Sequence, residues 1–153
     1  MGRISIIVGS KSDLSVVEEA IPYFKYFDIP YEIKVLSAHR QHDELVNYIK
    51  GVSDCGTQII IACAGMAAHL PGVIAALTTI PVIGVPLDAS PLNGVDALYS
   101  IVQMPKGIPV ATMAIGKPGV INAVVFAAKI LSLTNDSILR KLKEFQKKGC
   151  NIS

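Results

Sequence analysis

A chain of 153 residues has room for one hydrophobic core, so residues 1–153 are expected to form a single domain. Net charge is +2 and only 17% of residues are charged, with no basic block or acidic tail, which argues against nucleic acid and membrane surfaces as partners. The apolar share, 51%, exceeds what one small domain can bury and points to a homo-oligomer.

The first element is RISIIV, 3–8, a buried strand. It lacks the length and the small-residue cleavage site of a signal peptide. In residues 13–27, Val17, Ala20, Ile21, Phe24 and Phe27 recur at helical spacing, and Pro22 inside the pattern predicts a kink or a break. YEIKVL, 31–36, alternates as a strand, and a helix follows over 42–53. TQIIIACA, 57–64, is a continuous apolar strand, followed by a short apolar helix over 68–77 and the strand PVIGV, 81–85. The longest apolar region, 72–86, is interrupted by Thr78, Thr79, Pro81 and Pro86 and is too short to cross a bilayer as one helix. A helix over 94–103, a fifth strand IPVATMA, 108–114, and a helix over 118–132 come next. The last helix, 135–148, has Asn135 as N-cap and stops at Gly149.

Continuous apolar strands alternating with helices predict a three-layer α/β/α sandwich around a five-stranded parallel sheet, flavodoxin-like, with right-handed crossovers and an added C-terminal helix. Two helices carry the expectation of self-association. Leu70, Val73, Ile74 and Leu77 surround the helix over 68–77, and Ile138, Leu139, Leu142 and Phe145 give the last helix a face suited to a neighbouring subunit. Cys55, Cys63 and Cys150 are odd in number and lack metal-ligand spacing, and read as reduced thiols of a cytoplasmic protein.

Ligands of such sheets bind beyond the carboxyl ends of the strands. The loops that matter are therefore GSKSD, SAHR and AGMAAHLPG, after strands one, two and three, and all three histidines lie in or beside two of them. Ser10, Ser12 and Asp13 open a helix and suit an anion site, although Ser10-x-x-Asp13 also fits a capping box. Neither a Walker loop nor a G-x-G-x-x-G fingerprint is present. After Ser37, Arg40 is fitted to grip a phosphate and His39 to move a proton, unless both are solvated residues of a helix start. His42 reads as an exposed first-turn residue. Gly65 leaves room for a ligand or a close backbone, and His69 is either a helix cap or a pocket wall.

These loops, with GVP at 84–86 and GVDALYSIVQMPKGIPVATMAIG at 94–116, closely resemble the class I PurE family over residues 4–133. That resemblance implies a 5-carboxyaminoimidazole ribonucleotide mutase of de novo purine synthesis, an octamer needing no cofactor or metal. It implies that Ser10, Ser12 and Arg40 hold the ribonucleotide phosphate and that Asp13 accepts from the ribose hydroxyls. Ser37 would join the substrate-binding set, His39 would shuttle the proton, and Gly65 and His69 would wall the imidazole and carboxylate pocket. Residues 104–110 would close part of it. Arg40 and the AAHLPG loop favour class I over the class II branch, which carboxylates aminoimidazole ribonucleotide with carbon dioxide and in which Lys follows the His. The rival outside enzymology is a non-catalytic nucleotide-binding module, which would share the first loop and have no need of His39.

Overall fold

Runs rich in Ile, Val and Ala make the three central strands of this chain, and both faces of those runs are covered, while the two edge strands are half-buried. The computed structural model describes residues 3–152; Met1, Gly2 and Ser153, included in the single-domain reading, lie outside the described residues. Strands β1 (Arg3–Val8), β2 (Tyr31–Val35), β3 (Thr57–Gly65), β4 (Val82–Leu87) and β5 (Ala111–Thr112) form one parallel sheet in the order β2-β1-β3-β4-β5. This is the flavodoxin-like order. The helices are α1 (Leu14–Glu18), α2 (Ile21–Phe27), α3 (His42–Gly51), α4 (Leu70–Leu77), α5 (Val95–Val102), α6 (Lys117–Leu131) and α7 (Asp136–Lys147).

Alternate strand residues feed two cores. Ile4, Ile6, Val8, Ile59, Ile61, Ile83 and Val85 pack with Val17, Phe24, Phe27 and the buried side of α6 and α7. Ile7, Ile60 and Ala62 pack with Leu45, Ile49, Leu70, Ile74, Ala97 and Ile101 from α3, α4 and α5. Gly119 lets α6 approach the chain after β5, since a Cβ there would sit 1.7 Å from the Ala114 carbonyl oxygen.

The expected helix over 13–27 is broken, not kinked. A 3₁₀ turn at Lys11–Asp13 leads into α1, the chain turns at Glu19-Ala20, and α2 restarts with Pro22 in its first turn. Proline has no N–H for an interior helical bond and its ring collides with the preceding turn, but a first turn accommodates it. The expected strand over 108–114 shrinks to Ala111–Thr112. Pro105 and Pro109 lack ladder donors, and Gly107 turns the chain at φ +95. The strand expected at 81–85 runs from Val82 to Leu87.

The last helix behaves as its sequence predicts at both ends. Asn135 Oδ1 accepts from the Ser137 and Ile138 N–H groups at 3.0 and 3.2 Å, and Gly149 ends the helix at φ +68. Its apolar face, however, is covered by its own chain. Ile138, Leu142 and Phe145 are buried, and the Phe145 ring meets Phe27 at 5.5 Å and Tyr26 at 5.9 Å between centroids. Lys141 ties the helix down through the Tyr26 carbonyl at 2.9 Å and the Asp28 carboxylate. A neighbouring subunit is therefore not needed to cover this face. On α4 the correction is partial: Leu70 and Ile74 belong to the chain's own core, while Val73 is half-buried and Leu77 exposed. Exposed with Leu77 are Leu133, Phe126, Met66 and a strip of Leu92, Val95, Tyr99 and Val102 in and before α5.

Candidate active site

Val8 pairs in register with Val35 and Cys63, and Cys63 with Val85. At this level β1 and β2 end while β3 and β4 run on to Gly65 and Leu87, and the loops that leave β1, β2 and β3 meet there. They line a cleft of about 460 Å³ that gathers Ser10, Ser12 and Asp13 from the first loop, Ser37, His39 and Arg40 from the second, and Gly65 and His69 from the third. Every site residue singled out in the sequence borders this one cleft. His42 does not: it is exposed at the start of α3. Residues 104–110 do not line it either; Met104 packs on the far side of α4, its Sδ 3.1 Å from where a Cβ on Gly72 would stand.

In the first loop the cap and the cleft wall are the same atoms. Ser10 has extended backbone, and its Oγ accepts from the Ser12 N–H at 3.3 Å and from the Ser12 hydroxyl at 2.9 Å. Burial raises the Asp13 carboxyl above its ordinary value of 3.8, while hydrogen bonds from the Ser10 backbone and the Ser12 side chain pull less strongly the other way. The sign identifies a carboxylate whose desolvation outweighs the hydrogen bonds it accepts. Beneath it, burial and then the Asp13 charge push the Cys63 thiol up to about 12, so this cysteine is inert.

Ser37 is buried and works on its own loop. Its Oγ accepts from the Arg40 N–H at 3.3 Å, its N–H donates to Gln41 Oε1 at 3.3 Å, and its carbonyl accepts from the Gln41 N–H at 2.9 Å. That turn presents His39 and Arg40 to the cleft. Among the described residues Arg40 has no carboxylate partner, so a planar cation faces the cleft with its donors free.

The third loop settles what His69 is. It occupies the N-cap position of α4 but makes no side-chain cap bond. Its Nδ1 instead meets His39 Nε2 at 2.5 Å, with the rings edge-on, 85° apart and 4.7 Å between centroids. Such a contact holds one hydrogen, so one ring donates while the other accepts. Gly65 serves a neighbour more than a ligand: a Cβ there would lie 2.5 Å from Ala89 Cβ, so its absence admits the loop after β4. Ala89 and Met66 also line the cleft and were missed in the sequence, as was the His39–His69 pair, whose members are 30 residues apart. Their loops are legible, but nothing in the spacing reports the contact. Among the described residues no three His, Cys, Asp or Glu side chains gather as a metal-binding group.

The comparisons with known proteins agree with this architecture. Residues 3–151 match the family model described as AIR carboxylase. The chain is 48% identical to N5-carboxyaminoimidazole ribonucleotide mutase of Escherichia coli (strain K12), over 95% of this chain and 86% of that protein. It is 51% identical to the mutase of the same name from Pyrococcus abyssi, over 95% of this chain and 83% of that one. Among solved structures, Treponema denticola PurE superposes with a TM-score of 0.89 at 27% identity, over 98% of this chain and 92% of that chain.

Proposed function

The chain belongs to the AIR carboxylase family, and on that premise we propose that it is an isomerase of purine biosynthesis, converting 5-carboxyaminoimidazole ribonucleotide to 4-carboxy-5-aminoimidazole ribonucleotide. The observation that carries the reading is the His39–His69 contact inside a cleft that also holds an unpaired Arg40 and a partly desolvated Asp13.

The substrate carries its carboxylate as a carbamate on the exocyclic nitrogen. A proton delivered to that nitrogen by His39 lets the nitrogen–carbon bond break, the electron pair staying on nitrogen, and carbon dioxide departs within the cleft. The aminoimidazole left behind is enamine-like, so its ring carbon attacks the trapped carbon dioxide. That carbon then returns its proton to His39 and the ring regains aromaticity. One proton is lent and one is recovered, so a single imidazole closes the cycle without a cofactor. His69, in contact with Nε2, fixes the ring's orientation and the position of the proton. Arg40, Ser10 and Ser12 would anchor the phosphate as a remote handle, and Asp13 would accept from the ribose hydroxyls, which would offset its desolvation. Ser37 contributes by holding the turn that carries Arg40.

The test is isotopic. Unlabelled carbamate is converted in the presence of labelled bicarbonate. Little label in the product supports internal transfer; extensive label points to direct carboxylation of the class II kind; no conversion with retained ribonucleotide binding points to a binding module. The same reading includes a homo-octamer in the cytoplasm. The number eight comes from the family resemblance; the exposed strip Leu92, Val95, Tyr99 and Val102 supports self-association only, and the three free cysteines suit a reducing compartment. No helix among the described residues is long and apolar enough to cross a membrane. Light scattering should give a mass near eight chains, and an active monomer would exclude the octamer.

A further inference from the structure

Met66 stands in a place that the mechanism leaves unused. It is the second residue of a tight turn closed by the Ala68 N–H on the Gly65 carbonyl at 3.0 Å. Its φ is +55, a conformation that a long side chain rarely adopts, and Ala68 follows at φ +44. The turn is locked from behind, because the bare Gly65 lies against Ala89. The Met66 side chain is nevertheless 60% exposed, while Met104 and Met113 are half-buried. It lines the cleft beside His69 and Gly65. The cleft therefore has a rigid backbone corner and, mounted on it, a long, unbranched apolar side chain with nothing to pack on.

The geometry points to Met66 as the flap of the cleft: its thioether folds over the bound aminoimidazole ring, keeping water out and carbon dioxide in until the ring carbon attacks. The inference rests on the mutase reading, since only an escaping intermediate makes such a cover useful. Three physical features favour it. A thioether chain has three rotatable bonds and conforms to whatever it covers, and its sulfur makes favourable contacts with aromatic rings. A side chain at positive φ is retained only where the surroundings impose it, which here places it at the cleft rather than away from it. Of the other apolar groups lining the cleft, Ala38, Ala64, Ala67, Ala68 and Ala89 are too short to reach over a ligand and Leu70 is buried in the core, while His69 is held by His39.

The experiment compares the full-length wild type with Met66→Gly and Met66→Leu. Glycine accepts φ +55 without strain, so the turn and the fold are kept. With the carbamate as substrate in labelled bicarbonate, Met66→Gly should incorporate several-fold more label and release more free aminoimidazole ribonucleotide than wild type, and Met66→Leu should stay near wild type. A second readout does not depend on turnover. Met66 sulfoxide formation by hydrogen peroxide, followed by peptide mass spectrometry, should slow several-fold when aminoimidazole ribonucleotide is bound. Equal label incorporation in Met66→Gly and wild type, or equal oxidation with and without the ribonucleotide, overturns the flap. Protection of Met66 in a wild type that binds the ribonucleotide but does not convert the carbamate supports the flap and overturns the mutase reading alone.

Discussion

Replacing His39 by Asn removes the one side chain placed to lend and recover the proton, and leaves the rest of the cleft in place. His39 is exposed and its side chain contacts His69 alone among hydrogen-bond partners, so the fold should lose no more than about 0.5 kcal/mol. The catalytic loss should be far larger. A general acid–base group is worth roughly 100- to 10,000-fold in rate, or about 2.7–5.5 kcal/mol of barrier. Because the same imidazole serves both the carbamate cleavage and the rearomatisation, the loss should fall in the upper part of that range. The assay follows product formation from the carbamate, with calorimetry of ribonucleotide binding and a thermal melt as controls. Affinity and melting temperature should be close to wild type while turnover collapses. His69→Asn should cost less, since the proton carrier remains and only its alignment is lost. Activity of His39→Asn within a few-fold of wild type would refute the assignment and leave the cleft as a binding site.

Arg40→Ala should weaken ribonucleotide binding by about 1.5–3 kcal/mol, the worth of a hydrogen bond to a charged group, with Arg40→Lys recovering only part because the planar fork is lost; calorimetry with phosphorylated and dephosphorylated ligand checks this, and equal losses for both would remove the phosphate role. Asp13→Asn should melt higher than wild type at pH 7 while binding ribonucleotide more weakly. The sign follows from the raised carboxyl: the folded state holds its proton more readily than the unfolded chain, so the stabilising contribution is present below 3.8 and is lost as pH rises through the folded value. The gap between variant and wild type should therefore close below pH 3.8. Gly119→Ala should cost about 3 kcal/mol or more by differential scanning calorimetry, because the new methyl would stand 1.7 Å from the Ala114 carbonyl oxygen, a backbone atom held by β5 and α6.

The order of elements and the layer class were legible in the sequence, because apolar periodicity reports which faces of a strand or helix are covered. Asn135 and Gly149 marked the last helix at both ends, since a cap is made by atoms a few residues apart. The three loops of the cleft were legible for a similar reason: in a parallel sheet every strand delivers its carboxyl end to the same edge. Interruptions were read less well. Pro22 announced a disturbance but not whether the helix would bend or stop, and Pro109 cut the start from a strand whose side chains looked suitable.

What covers a given apolar face was decided only in three dimensions. Ile138, Leu142 and Phe145 resemble an interface stripe in the sequence, but Phe27 and Tyr26, over a hundred positions earlier, lie under them. Ile74, read as exposed on its helix, is fully buried in the chain's own core, so Ile74→Asp would unfold the subunit before it could report on assembly. Gly65, read as room for a ligand and for a close backbone, borders the cleft and admits the segment that carries Ala89. The central pair of the cleft is of the same kind. His39 and His69 belong to different crossovers, and their 2.5 Å contact exists because β1 seats β2 and β3 in register on its two sides. Local pattern determines helices, strands and caps because their bonds close within a few residues; contacts between crossovers depend on the distances and angles at which the whole sheet sets its loops, and those are properties of the packed chain.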